Sequence, residues 1–170
     1  MISIMRAVLR PLLVIGLWMG GIAQGADSLS DEIETGLKTE SYIYVATQRL
    51  NGQWGTSAPV WFMYEEEEGT VYFTVAPTSH KALRIHRGSP VRVWVGTEDG
   101  PFFEGHAQFI RRNPALVERM AEVYKQKYWL AWLGFARPRP ARVGSGKTLV
   151  VKVTPMTQEP GKSHPAAPSQ

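Results

Sequence analysis

The residues best suited to chemistry lie in the segment Thr74–Arg84, which reads TVAPTSHKALR. Within it, Ser79 is a typical N-cap residue for the short helical pattern Lys81–Arg87, and a glycine and a proline follow that pattern. A lysine in the first turn of a helix is unfavourable beside the positive end of the helix dipole unless an anion also binds there. Backbone N–H groups, a hydroxyl and the ammonium of Lys81 would together bind a phosphate, so the segment predicts a phosphate site.

The charge pattern around this segment is consistent with that interpretation. From Ala76 to Thr97 the chain has four lysine and arginine residues and no acidic residue. A solvated basic helix is the alternative interpretation, and the segment alone does not decide between the two.

The elements that must position this segment are mostly β-strands. Asn51-Gly52 is a strong hairpin turn between the first two predicted strands, and the acidic run Glu65–Glu68 is typical of a solvated hairpin tip between the second and third. Six segments are rich in β-branched and aromatic residues and bounded by turn signals: Tyr42–Thr47, Ala58–Tyr64, Thr70–Val75, Val91–Gly96, Phe102–Ile110 and Leu149–Thr154. This order predicts a mainly β fold with a few helices, a six-stranded antiparallel barrel rather than a βαβ sheet.

Two further helices are predicted outside the strands. Ser30 would cap a helix over Ser28–Lys38, and Asn113, which is followed by a proline, would begin a helix that runs to about Trp132. The pattern indicates one domain over residues 28–156, followed by a polar, proline-rich tail over residues 157–170 that we expect to be disordered.

Composition excludes several kinds of site. The chain has 170 residues, a net charge of +4 and no cysteine, which excludes disulfides, cysteine nucleophiles and Cys-ligated metals. His80 and His86 are six residues apart and do not share a helix face, and His106 has no nearby carboxylate in sequence, so we predict no metal site. The low net charge, without a basic stripe interleaved with exposed aromatic residues, argues against nucleic acid as a partner.

The N-terminal residues predict export. Arg6 and Arg10 precede the apolar run Pro11–Ile22, and small residues follow it, so residues 1–25 have the layout of a secretory signal peptide cleaved before Ala26. The expected location is therefore the periplasm. The alternatives are an uncleaved anchor, which would bring the protein to a membrane, and translation from Met19, which would leave it in the cytoplasm.

Several motifs in succession resemble a known family. From Tyr42 to about Pro155 the chain is similar to the FMN-binding split barrels of the pyridoxamine 5′-phosphate oxidase-like group. The matching motifs, in chain order, are Tyr42-Ile-Tyr-Val-Ala-Thr47, Gly52 in a turn, Pro59-Val-Trp-Phe62, Val71-Tyr-Phe-Thr74, Ser79-x-Lys81-x-x-Arg84-Ile85 and Pro90-Val91.

The resemblance implies a homodimer of six-stranded barrels with FMN at the subunit interface. It implies that Lys81 binds the FMN phosphate, that the hydroxyls of Ser79 and Thr74 lie near it, and that Arg84 is a second cation. An arginine that pairs with a neighbouring acid at the surface is the alternative for Arg84. The strand containing Val60 and Trp61 would lie along the isoalloxazine ring, although Trp61 could equally be a core residue of the barrel.

Departures from the family narrow the expected activity. The true oxidases have an arginine just before the flavin-contacting strand, where this chain has Thr56 and Ser57, and their C-terminal arginine- and histidine-containing segment has no clear counterpart. We therefore expect a flavin-dependent oxidoreductase that acts on a small molecule other than pyridoxamine phosphate, with no protein residue assigned as a catalytic acid or base. The alternatives are a haem- or deazaflavin-binding barrel that carries or degrades its ligand, with His164 or His106 as a haem ligand, and a binding barrel without catalysis.

Overall fold

The computed structural model describes residues 29–128, 130, 133 and 138–156. The predicted signal peptide over residues 1–25 and the tail over residues 157–170, which includes His164, lie outside the described residues, and the expectations for them stay predictions. Across the described part of the chain, no helix combines the length and apolar character that crossing a bilayer requires.

The fold is mainly β, as predicted, with four described helices around one antiparallel sheet. The strands lie in the order β2-β1-β5-β6-β7-β4-β3. In chain order the elements are α1 (Asp31–Thr39), β1 (Ile43–Thr47), β2 (Pro59–Val60), β3 (Phe62–Glu65), β4 (Thr70–Val75), α2 (His80–His86), β5 (Val91–Val95), β6 (Phe102–Ile110), α3 (Pro114–Lys127), α4 (Pro140–Gly144) and β7 (Leu149–Pro155).

The two edge strands of this sheet are consecutive in the chain. β2 and β3 stand at opposite ends of the strand order, yet only Trp61 separates Val60 from Phe62. The sheet must therefore curl until its edges meet at Trp61, which produces a barrel that is split at this point.

The sheet has seven strands rather than the six that the sequence predicted, because the segment Ala58–Tyr64 forms two strands. Val60 pairs with Ile43 of β1, whereas Phe62 pairs with Phe73 of β4, at the other edge of the sheet. Between them, the carbonyl oxygen of Trp61 accepts a hydrogen bond from the Tyr124 hydroxyl of α3 at 2.7 Å. The strand is interrupted because this helix, and not a neighbouring strand, satisfies its backbone there.

The predicted hairpin and helix caps are present. The chain turns between β1 and β2 at Asn51-Gly52, where Gly52 has a φ of 80°. Ser30 and Asn113 each accept a hydrogen bond from the third residue of the helix that they cap, α1 and α3 respectively. The prediction that α3 runs to about Trp132 was wrong: the helix ends at Lys127, and Tyr128 is extended (φ −126°, ψ 113°). The hydroxyl of Tyr128 accepts a hydrogen bond from the backbone N–H of Phe62 at 3.1 Å.

Alternation along the strands divides the apolar residues between two cores. In β4, Phe73 lies inside the barrel, where it packs with side chains from the other strands, whereas Tyr72 points to the opposite face. On that outer face α3 packs through Leu116, Met120 and Tyr124. The barrel interior and the layer under α3 together bury most of the large apolar side chains of the described residues.

Gly105 marks the corner at which β6 passes from one partner strand to the other. It pairs with Val91 of β5 and also with Pro155 of β7, so it belongs to both ladders. A Cβ at this position would lie 2.7 Å from the carbonyl oxygen of Thr154 and 2.7 Å from Cγ1 of Val153. Glycine is needed because the backbone of β7 approaches too closely for any side chain.

We therefore predict that Gly105→Ala destabilises the protein by about 1–3 kcal/mol, since the added methyl group must displace backbone atoms of β7. Chemical denaturation of the two proteins measures the difference. Gly144→Ala is the matched control, because a Cβ there meets no atom within 4 Å. Equal losses in the two variants would contradict the proposed close approach.

Lys127, the last residue of α3, places its amine against the barrel. Its Nζ lies 3.6 Å from the centroid of the Phe62 ring, and Phe62 is fully buried. Burial lowers the pKa of Lys127 to about 8, while the charge of Glu40 acts in the opposite direction. The protonated amine is therefore less favourable here than in the unfolded chain, where the pKa of lysine is about 10.4.

Because the unfolded chain binds the extra proton between pH 8 and about 10.4, Lys127 makes the free energy of unfolding rise with pH in that interval. We predict that Lys127→Met reduces this rise, as measured by denaturation at several pH values. Lys125→Met, which removes the amine that pairs with Glu122 on the same helix, is the control and should retain the wild-type slope. Parallel pH profiles for Lys127→Met and the wild type would contradict the prediction.

Candidate functional site

Helix α2, which carries the residues predicted to bind a phosphate, is held at its N-cap and along one buried face. Ser79 is its N-cap, as predicted: its Oγ accepts a hydrogen bond from the backbone N–H of Ala82 at 3.1 Å and donates one to the carbonyl of Ala76 at 2.8 Å. Ala82 and Ile85 are buried in the barrel core. Lys81 and Arg84 therefore flank the buried stripe and are themselves half-buried.

Lys81 is a half-buried cation without an acidic partner among the described residues. It forms no ion pair or hydrogen bond with any of them. Burial lowers the pKa of Lys81, and the nearby charge of Arg84 lowers it further. The amine thus pays a desolvation cost that no carboxylate of the described chain offsets.

Arg84 is fixed by the loop between β1 and β2. Its Nη1 donates to the hydroxyl of Thr47 at 3.3 Å, and a Cβ built on Gly55 would lie only 2.2 Å from that nitrogen. The guanidinium therefore rests on the bare backbone of Gly55. The alternative prediction, a surface arginine paired with an acid, does not describe this geometry, since Arg84 forms no ion pair within residues 29–128.

Lys81 and Arg84 together form a pair of adjacent cations. Residues three apart on a helix are neighbours on its surface, and the electrostatic effect of Arg84 on Lys81 agrees with this placement. The two positive charges repel each other, and an anion bound to both would relieve this repulsion. A phosphate suits the pair well, because charge-assisted hydrogen bonds to its oxygens can involve both side chains. These residues therefore fit the phosphate group of a nucleotide cofactor.

The two hydroxyls predicted to accompany Lys81 differ in their surroundings. The single proton of the Ser79 hydroxyl is donated to Ala76, so this hydroxyl serves the helix cap. Thr74 lies in β4 opposite Val150, half-buried, and its side chain makes no hydrogen bond to a described residue. Neither hydroxyl bonds the Lys81 amine, and their role in binding a phosphate stays a prediction.

Val60 and Trp61 lie on different sides of the barrel wall. Val60 packs against the barrel interior, whereas Trp61 packs in the outer layer under α3. The Trp61 ring stacks on Tyr128 with centroids 4.3 Å apart and planes 2° from parallel, and it meets Tyr124 edge to face at 5.9 Å. Trp61 is thus a packed residue of the layer under α3, and one of its faces is covered by Tyr128.

Two residues of this site were missed from the sequence, namely Gly55 and Thr47. Thr47 is completely buried, and its carbonyl oxygen accepts the N–H of Gly55 at 3.0 Å. The available signal was a second glycine shortly after the hairpin turn, next to a predicted strand. Such a glycine often marks close approach of another group to the backbone, but it does not identify that group.

The histidines give no sign of a metal centre in the described residues. His106 is exposed on β6, opposite Thr154. Within the same part of the chain, no three histidine, aspartate or glutamate side chains converge as a metal ion would require.

The fold has counterparts among solved structures at low sequence identity. HutZ, the heme storage protein from Vibrio cholerae, matches with a TM-score of 0.54 and 12% identity over 77% of this chain and 92% of HutZ. Rv2991, a conserved hypothetical protein from Mycobacterium tuberculosis, matches with a TM-score of 0.53 and 17% identity over 85% of this chain and 96% of Rv2991. A protein from Listeria innocua, proposed to be a pyridoxamine 5′-phosphate oxidase, matches with a TM-score of 0.51 and 18% identity over 74% of this chain and 91% of the Listeria protein.

At these identities the structural matches establish the split-barrel fold alone. A comparison with curated protein sequences finds no match. The model of the pyridoxamine 5′-phosphate oxidase family, in contrast, matches residues 29–159. That range includes every strand of the sheet as well as Lys81, Arg84, Thr47 and Gly55. The chain therefore belongs to the pyridoxamine 5′-phosphate oxidase family.

Proposed function

We propose that this protein binds FMN and is a flavin-dependent oxidoreductase acting on a small molecule. The observation that carries the proposal is the pair Lys81 and Arg84, two half-buried cations that no described carboxylate neutralises. In this proposal both side chains bind the terminal phosphate of FMN. Membership of the family supports the choice of flavin over other phosphorylated ligands.

The cofactor, when bound, supplies hydride or electron transfer, and the protein binds it, orients it and excludes water. The loop that holds Arg84 leads directly into β2, since Val60 is five positions after Gly55, a distance of at most ~18 Å along the chain. This connection supports the proposal that the backbone around Val60 lies along the flavin ring. Trp61 would support that backbone from behind through its contacts with α3.

We propose a substrate other than pyridoxamine phosphate. Thr56 and Ser57 stand just before β2 and contribute no positive charge, and the Ser57 hydroxyl donates a hydrogen bond to Glu98. A second anionic group from the substrate would meet a carboxylate there and not an arginine. The arrangement therefore favours a substrate without a phosphate at this position.

Replacing Lys81 tests the phosphate site. We predict that Lys81→Ala weakens FMN binding by about 10- to 100-fold, because a charge-assisted hydrogen bond of about 1.5–3 kcal/mol is lost, while affinity for riboflavin, which lacks the phosphate, is unchanged. Quenching of flavin fluorescence gives both dissociation constants. Lys147→Ala, which removes an exposed lysine near the start of β7, is the control.

Two outcomes would overturn this proposal. The wild-type protein would fail to retain FMN, or Lys81→Ala would bind FMN as tightly as the wild type. Haem is the competing ligand, because the fold resembles that of a heme storage protein. A Soret band that survives gel filtration, without retained flavin, would favour a haem-binding barrel, and its loss in His106→Ala or His164→Ala would identify the ligand.

We also propose that the protein is a homodimer in which a second copy covers an aromatic patch on β5 and β6. The patch consists of Arg92, Trp94, Phe102 and Glu104, which alternate with the buried residues of the two strands, together with Trp54 from the loop between β1 and β2. The Arg92 guanidinium lies 4.5 Å from the Trp54 ring centroid and 4.7 Å from that of Phe102, and it pairs with Glu104. Aromatic and arginine side chains of this kind are enriched at protein interfaces.

Phe102 is 38% exposed in the isolated chain, so a charge there is tolerated in a monomer but not in a packed interface. We predict that Phe102→Glu shifts the protein from dimer to monomer in sedimentation equilibrium. Leu50→Glu is the matched control, because Leu50 is 85% exposed at the hairpin tip. A monomeric wild type, or a Phe102→Glu variant that remains dimeric, would refute this interface.

A further inference from the structure

The guanidinium of Arg84 lies directly against the backbone of Gly55. A Cβ on Gly55 would lie 2.2 Å from Nη1 and 3.3 Å from Cζ of Arg84, and 3.1 Å from the carbonyl oxygen of Thr47. The first distance is too short for two atoms that are not bonded to each other. The guanidinium therefore occupies the space that every side chain other than hydrogen would need.

Backbone conformation does not explain a glycine here. Five glycines of the described chain have positive φ, namely Gly52, Gly69, Gly88, Gly96 and Gly146, and Gly55 is not among them. An alanine at position 55 could adopt the observed backbone without strain. What it would displace is the far end of the Arg84 side chain, because a flexible guanidinium moves more easily than the Thr47 backbone.

Both sides of this contact are held in place. Thr47 is the last residue of β1, pairs with Val91 of β5, and bonds the N–H of Gly55 through its carbonyl. On the other side, the carbonyl of Arg84 accepts the N–H of Ser89 at 3.0 Å as α2 ends. The loop and the helix thus set the position of the guanidinium before any ligand arrives.

We propose that Gly55 and Thr47 are positioning residues that hold the Arg84 guanidinium beside Lys81, and that this arrangement gives the site its preference for a flavin with a phosphate over one without. This inference rests on the proposed function. A guanidinium held in place loses less side-chain entropy on binding than one that must be ordered by the ligand. If Arg84 is released, Lys81 alone faces the phosphate.

The experiment compares FMN with riboflavin in a double-mutant cycle. Dissociation constants are measured by fluorescence quenching for the wild type, Gly55→Ala, Arg84→Ala and the double variant, with Gly144→Ala as the matched glycine control. We expect Gly55→Ala to weaken FMN binding about 5- to 30-fold and riboflavin binding less than about twofold. In the Arg84→Ala background, Gly55→Ala should change neither constant by more than about twofold.

A role of Gly55 in the fold alone gives a different pattern. Gly55→Ala would then weaken FMN and riboflavin equally, or would cost as much without Arg84 as with it, and either result overturns the inference. An unchanged FMN affinity in Gly55→Ala overturns it as well. Thr47→Val, which removes the hydroxyl but keeps the shape, should weaken FMN in the same direction as Gly55→Ala and by a smaller factor.

The arrangement can also be tested if the wild type binds no flavin, in which case the proposed function fails. The Nε–Hε resonance of Arg84 is then followed by NMR in the ligand-free protein during titration with inorganic phosphate. We expect this resonance to differ between the wild type and Gly55→Ala, and phosphate to shift it at lower concentration in the wild type. Identical spectra and titrations in the two proteins overturn the inference independently of flavin.

Discussion

Closure of the curled sheet is the constraint on which the rest of this structure depends. β2 and β3 are opposite edges of the sheet and yet are separated by Trp61 alone, so the edges can be brought together only if that residue is held by something other than a strand. Tyr124 of α3 and Tyr128, the residue that follows α3, provide this support through hydrogen bonds to the backbones of Trp61 and Phe62. The burial of both tyrosines raises the pKa of each hydroxyl, which therefore stays protonated and able to donate.

Closure also determines where the charges of α2 lie. Ala82 and Ile85 are buried in the barrel core. Because α2 is short, the residues that precede these two in the chain are partly buried as well. Lys81 and Arg84 occupy those positions. Surface lysines and arginines usually keep their charges in water, so two such residues at half-buried positions without a described acidic partner indicate a ligand-binding role more than a stabilising one.

The sequence could predict the fold because its strands have strong, local signals. β-branched and aromatic runs, turn glycines and helix caps are read within a few residues, and the hairpin at Asn51-Gly52 and the caps at Ser30, Ser79 and Asn113 were all predicted correctly. The division of Ala58–Tyr64 into two strands could not be read in this way. It depends on a hydrogen bond from Tyr124, which lies 63 positions away in the chain.

The candidate site shows the same division between local and distant effects. Lys81 and Arg84 could be proposed as site residues from the sequence because helix capping and charge are local properties. The contact of Arg84 with Thr47 spans 37 positions, and nothing within either segment indicates the other. For Trp61 the sequence left two interpretations open, a flavin contact and a core residue. The ring stacks on Tyr128, which follows α3, and this contact could not be predicted from the strand alone.

The most direct measurement is 31P NMR of FMN bound to the protein as the pH is lowered. A free phosphate monoester takes up its second proton near pH 6, and two adjacent cations favour the doubly charged form. If Lys81 and Arg84 bind the phosphate, the resonance of bound FMN remains at the dianion position below pH 6, at least until the complex dissociates. A bound phosphate that titrates as in free FMN would contradict its placement between these two side chains.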